Sequence, residues 1–237
     1  MSNGRWRAAR LSTLRWAGAA LGVAATTMLW ALPAAAATDS WGAYWVTTPT
    51  GGLVSTSASF VVPSLNCAGN SGQLGQNFGV VDNSLLIWSV VRMECNGTTP
   101  SYNFIVTVGA TTFTENGVSA GDTVVTSFFQ TATLAQATVH DLTSGATWVA
   151  DGTPAGFNDS AVIGEFPVFP SGGGGQLQIA PFGHTTFTKC QVNGDYLGYG
   201  NSLEQFSLKE AGTSSPAIST GAIASGKDSF KLTFKHR

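Results

Sequence analysis

The chain has 237 residues, of which only 10% are charged, against 29 glycines, 14 phenylalanines and seven tryptophans. So few charges among so many aromatics exclude a coiled coil or a disordered acidic tail, both of which need the reverse balance. The formal net charge is -2 and no Lys/Arg-rich run occurs, so the electrostatic footprint of a nucleic-acid binder is missing.

Arg5, Arg7, Arg10 and Arg15 precede an apolar stretch from Trp16 to Leu32, followed by Pro33 and the alanines 34–37. This basic, apolar, small-residue order is that of a secretory signal peptide cleaved after Ala37, leaving one domain over residues 38–237. All 13 acids lie after Ala37 and four of the 11 bases before it, so the mature chain sets 13 acids against seven bases, a formal charge of -6. No later apolar run reaches the roughly 18 residues a membrane span needs. A secreted, extracellular, monomeric protein with no membrane attachment once the leader is removed is expected.

Beyond the leader, no window sustains apolar residues at helical spacing; period-2 runs bounded by Gly, Asn, Asp and Pro take its place. Ser57-Ala58-Ser59-Phe60-Val61-Val62 reads as a strand stopped by Pro63. Leu85–Val91 and Val124–Phe129 are fuller apolar runs, read as strands buried on both sides. Ala135, Ala137 and Val139 alternate with Gln136, Thr138 and His140, and Phe230, Leu232 and Phe234 share one face near the C-terminus. Turn signals punctuate the runs at Asn96-Gly97, Asn116-Gly117, Gly121-Asp122, Ser144-Gly145, Asp151-Gly152, Asn193-Gly194 and Gly226-Lys227. Gly172 to Gly175 mark a loop within the domain. Many short strands spaced this way imply an all-β, two-sheet antiparallel sandwich or a barrel.

Three cysteines permit one bridge and one leftover. Cys67 and Cys95 both sit in polar Asn/Gly turns and are the expected pair, stabilising by roughly 3–4 kcal/mol in the chain-entropy model; Cys190 is expected as a buried free thiol. No two Cys or His residues fall at zinc-ligand spacing, no G-x-S-x-G elbow occurs, and Gly172–Gly175 lacks the Lys-Ser/Thr of a phosphate loop. No metal or cofactor is expected.

Six segments in order carry a family resemblance: Ser40-Trp41-Gly42-Ala43-Tyr44, Phe60-Val61-Val62-Pro63-Ser64-Leu65-Asn66-Cys67, Cys95-Asn96-Gly97-Thr98-Thr99-Pro100-Ser101-Tyr102, Val118-Ser119-Ala120-Gly121-Asp122, Asp141-Leu142-Thr143-Ser144-Gly145, and Phe182-Gly183-His184-Thr185-Thr186-Phe187-Thr188. The chain resembles the glutamic peptidases, or eqolisins, from about residue 40 onward. The resemblance implies a lectin- and glucanase-like (concanavalin-like) jelly-roll β-sandwich. It further implies secretion and acid-pH endopeptidase chemistry on protein or peptide substrates, without a cofactor. The family mechanism pairs a glutamate, general base then general acid on a water, with a glutamine that donates to the oxyanion.

By that resemblance Glu165, closing Ser160-Ala161-Val162-Ile163-Gly164, stands at the glutamate position. Its apolar flanks suggest partial burial and a raised pKa. The glutamine does not carry over: counting back from Cys95 places Trp88 there, with Ser89 beside it, and Gln73 and Gln76 lie earlier. The family's aspartate falls on Val81, with Asp82 one residue later on the opposite face. Two readings follow. One is a glutamic endopeptidase with altered machinery, in which the Trp88 N–H or the Ser89 hydroxyl donates. The other is a catalytically inactive module binding peptide or carbohydrate in a cleft lined by Trp88, Phe78 and Phe104. A two-carboxylate glycosidase would need Glu94 or Asp82 about 5–10 Å from Glu165.

Overall fold

A computed structural model describes residues 41–48, 52–153, 159–168, 177–209 and 216–235. The expected leader, its cleavage point and the 172–175 glycine loop lie outside these residues. The described strands are β1 (Gly42–Thr47), β2 (Ser55–Val61), β3 (Gln73–Asp82), β4 (Ile87–Asn96), β5 (Thr99–Val108), β6 (Thr111–Asn116), β7 (Thr123–Gln130), β8 (Ala135–Asp141) and β9 (Thr147–Gly152). They continue as β10 (Ser160–Pro167), β11 (His184–Val192), β12 (Asp195–Tyr196), β13 (Ser202–Phe206), β14 (Ile218–Thr220) and β15 (Phe230–Phe234).

Two antiparallel sheets form from them, a β-sandwich rather than a barrel. One runs β13-β1-β10-β3-β4-β5-β6, the other β14-β15-β11-β2-β7-β8-β9, with β12 paired to β11. Alternation puts every second side chain between the sheets. There Phe78 of the first sheet meets Phe60 and Phe187 of the second, and Phe104 meets Trp148. Phe60 and Phe78 lie edge to face at 6.0 Å, Phe187 stacks on Phe230 at 5.2 Å, and Phe104 stacks on Trp148 at 3.9 Å. Burying each such ring contributes about 1.5–3 kcal/mol, so this layer drives closure of the sandwich.

Cys67 and Cys95 are bonded, tying the loop after β2 to the end of β4, and Cys190 is free and buried. Three expectations need correction. Val124–Phe129 is not buried on both sides: β7 alternates, with Val124, Thr126 and Phe128 buried and Val125, Ser127 and Phe129 only half-covered, because the outer face of its sheet lies open. The Leu85–Val91 run is not one strand either. Leu85 sits in a turn at φ +58°, and the Asp82 carboxylate accepts from the Leu86 and Ile87 amides at 2.9 and 2.6 Å, so the strand starts at Ile87. Asp151-Gly152, expected as a turn, lies inside β9, where Gly152 pairs with Ala135.

Candidate functional site

Strand register decides which candidates can meet. On β10, Glu165 pairs with Gly42 of β1 and Phe78 of β3. Phe78, Val80, Val91, Phe104, Ala161 and Ile163 belong to the core between the sheets, and Glu165 shares their parity. The alternate residues Trp41, Ala43, Val81, Val90, Ile105, Val162 and Phe166 form a second cluster, joined by Trp45, Leu85 and Trp88. That cluster occupies the outer face of the seven-stranded sheet. Glu165 therefore points inward, and its chain neighbour Phe166 points outward.

Burial of Glu165 is complete, not partial. Its Oε2 accepts from the Gly42 N–H at 3.1 Å, and Oε1 has no hydrogen-bond partner among the described residues. Desolvation lifts its pKa from 4.5 to about 8, against a smaller lowering by the Gly42 amide. A carboxyl in this state is a neutral acid at and below neutral pH. It has the protonation chemistry of a general acid, but no surface through which to touch a substrate.

The supposed partners lie elsewhere. Trp88 is on the outer face, where its Nε1–H donates to the Leu85 carbonyl at 2.6 Å and its ring centroid lies 6.3 Å from that of Phe166. Ser89 is fully buried on the inner face. Its hydroxyl accepts from the Ser127 amide at 3.1 Å and donates to the Thr138 carbonyl. Ser127 and Thr138 are paired residues of β7 and β8, so this hydroxyl stitches one sheet to the other. Both proposed oxyanion donors are thus engaged with backbone carbonyls, and Trp88 is separated from Glu165 by the thickness of the sheet.

Phe78 and Phe104 are not cleft lining. Both are 0% exposed and fill the core, because their parity on β3 and β5 turns them toward the second sheet. Gln73 is exposed at the start of β3. Gln76 is buried on the Glu165 side, but its amide is consumed by Ala180, donating to the carbonyl at 3.2 Å and accepting from the amide at 2.9 Å. Glu94 shares the outward parity of Trp88 and so cannot face Glu165. Asp82 pairs with Ala161, four residues from Glu165 along β10, which is about 13 Å at strand rise. A two-carboxylate glycosidase site is not formed.

What the outer face does assemble is aromatic. Ala43, Gly164 and Gly79 lie side by side on β1, β10 and β3, leaving a shallow floor. A Cβ at Gly79 would sit 2.8 Å from the Val90 Cα, and one at Gly164 2.7 Å from the Ala43 Cα, both at positive φ, so neither position can take a larger residue. Rings gather over this floor. Trp41 stacks on Trp45 at 5.6 Å and 11°, and Phe166 meets Trp41 edge-on at 5.9 Å. Trp45 and Trp88 remain half-exposed. At one end of the patch Arg92 donates from Nε to the Asn77 Oδ1 at 3.2 Å. Trp41, Trp45, Phe166 and Arg92 were not singled out from sequence. Trp41-x-x-x-Trp45 at strand alternation was a readable signal for a shared face.

No family model and no curated protein matches the chain. Among solved structures it is similar to scytalido-glutamic peptidase with a peptide-based transition-state analogue, at 16% identity and a TM-score of 0.62. The match covers 83% of this chain and 98% of that one. A second structure of that peptidase, with a transition-state analogue inhibitor, gives 17% and 0.61 over 83% and 98% of the two chains. SCP-B, an eqolisin peptidase in complex with the tripeptide Ala-Ile-His, gives 16% and 0.61 over the same shares. The class defined here is thus an all-β sandwich with an aromatic outer face, and its fold is that of the glutamic peptidases.

Proposed function

We propose that the chain is a secreted, non-hydrolytic module on the glutamic-peptidase fold that binds extended peptide on the outer face of its seven-stranded sheet. One observation carries this reading: Trp88, at the family's glutamine position, and Glu165 lie on opposite faces of one sheet. A carboxyl and its partner cannot act on one bond from two sides of a sheet. Trp88 shares its face with the half-exposed Trp45 over the buried Phe166 and Trp41, and half-exposed rings offer apolar contact without proton transfer. Peptide is favoured over carbohydrate because the similar structures hold a peptide-based analogue and a tripeptide. Export is supported by the leader pattern and by the disulfide, which needs an oxidising compartment.

The test is a tryptophan-emission titration of the mature chain with short apolar peptides and, in parallel, oligosaccharides. Peptide binding weakened about tenfold by Trp88→Ala, with an unchanged circular dichroism spectrum, is expected. Equal affinity in wild type and variant would overturn the site, and binding of oligosaccharides alone would overturn the ligand class.

A second reading is favoured by the state of Glu165. A carboxyl pushed up to about 8 is matched to general-acid work, so an acid endopeptidase using it would turn over peptides at about pH 3–5 and lose that turnover in Glu165→Gln.

A further inference from the structure

We infer that Arg92 anchors the free C-terminal carboxylate of a peptide on this outer face, so that the module selects chain ends carrying an apolar last residue. The inference rests on the peptide-binding reading above and goes beyond it to the ligand's chemistry. Arg92 is the one basic side chain on the strands of the seven-stranded sheet. It shares the outward parity of Trp88 and Val90 on β4. Register places Phe166, Asn77 and Arg92 in one row across β10, β3 and β4, at roughly 5 Å per strand. Arg92 thus lies on the face that carries the rings, two strands from Phe166.

Its orientation is fixed from below. Asn77 is 1% exposed. Its Nδ2 donates to the Pro167 carbonyl at 3.0 Å, and its Oδ1 receives the Arg92 Nε–H at 3.2 Å. Nε is held there, Arg92 is half-buried, and no other hydrogen bond or ion pair joins it to a described residue. Burial lowers the pKa of Arg92, with a smaller opposing effect from the nearby charge of Glu94, so this cation is only partly solvated. An arginine offering two free N–H ends matches a carboxylate in two-point geometry, which a point charge does not.

The ground beyond Arg92 explains why the carboxylate belongs to a chain end. The next outward residue on β4 is Glu94, paired with Gly75. Over Gly75 the space is taken: a Cβ there would lie 3.1 Å from the Glu94 Cγ, 3.3 Å from the Leu177 Cδ1 and 3.4 Å from the Val168 Cγ2. A peptide crossing the aromatic patch toward Arg92 meets occupied, negatively charged surface past it. Its terminal carboxylate can stop at the guanidinium while its last side chain rests toward the half-exposed Trp88. A chain presenting an internal Asp or Glu would have to continue over Glu94.

The test uses the mature chain and three forms of Ala-Val-Ala-Ile-Phe: the free acid, the C-terminal amide, and an amide with glutamate replacing the central alanine. The free acid is expected to bind about tenfold more tightly than either amide, the worth of one charge-assisted contact. Arg92→Gln should remove the difference, and Arg92→Lys should restore part of it. Equal binding of acid and amide by the wild type overturns the inference, as does a glutamate amide that matches the free acid. If Arg92→Gln fails to fold, the acid and amide comparison on the wild type still decides. Peptide binding that needs Trp88 but ignores amidation defeats this inference alone. No binding by any of the three defeats the peptide-binding reading with it.

Discussion

The two faces of the seven-stranded sheet are built from the same strands and differ only in which residue of each consecutive pair turns which way. On the inner face Glu165 is a fully buried carboxyl, paired in register with Phe78 and Gly42, with a single amide donor. On the outer face, one residue along, Phe166 joins Trp41 and Trp88, with a half-exposed arginine two strands away. A period of two makes a one-residue offset equivalent to a change of face. Glu165 and Trp88, both read from sequence as parts of one site, therefore lie on opposite faces of the sheet.

The largest effect that would sharpen this contrast is on stability against pH. Folded Glu165 holds its proton up to about 8, while unfolded glutamate releases it near its ordinary value of 4.5. Its contribution is therefore fully present below 4.5 and lost as pH rises through 8, a swing on the order of 4–5 kcal/mol. Urea unfolding at several pH values should show this decline in wild type and a flatter profile in Glu165→Gln. Parallel profiles would place the carboxyl in solvent. Next comes the core: Phe104→Ala should cost about 3–5 kcal/mol by the same measurement, against about 1 kcal/mol for the half-exposed Trp88→Ala. Similar losses at the two would erase the distinction between the faces.

Smaller again is removal of the Cys67–Cys95 bridge, whose closure of a 28-residue separation is worth about 3.5 kcal/mol. A Cys67→Ala/Cys95→Ala double variant should unfold at correspondingly lower urea without altered peptide affinity. Ser89→Ala should cost about 1–2 kcal/mol, since it leaves the Ser127 amide and the Thr138 carbonyl without their shared partner. Ligand binding should stay unchanged. A binding loss at Ser89 with stability intact would return that hydroxyl to the site.

Much of the fold was legible because alternation and turn chemistry act locally. Phe230, Leu232 and Phe234 announced β15, Pro63 followed the end of β2, and Asn193-Gly194 joined β11 to β12. The Cys67–Cys95 pair was readable from its two polar turns. What failed were features fixed by distant partners. Leu85 looks like strand but turns, because the Asp82 carboxylate satisfies the amides that follow it. The site was legible as a set of positions but not as two faces. Trp88 and Ser89 were read together because they are adjacent, and a strand sends adjacent residues apart. Phe78 and Phe104 were read as cleft because aromatic character alone does not say which side of a sheet is covered.

The account turns on whether Glu165 ever meets a substrate. The purified mature chain and its Glu165→Gln variant would be incubated with a peptide mixture at about pH 3–5, and the products read by mass spectrometry. No cleavage by either chain, with both shown to be folded and to bind peptide, is the predicted result. Cleavage by the wild type that vanishes in Glu165→Gln would contradict it, making the sealed carboxyl a catalytic acid that opens to solvent.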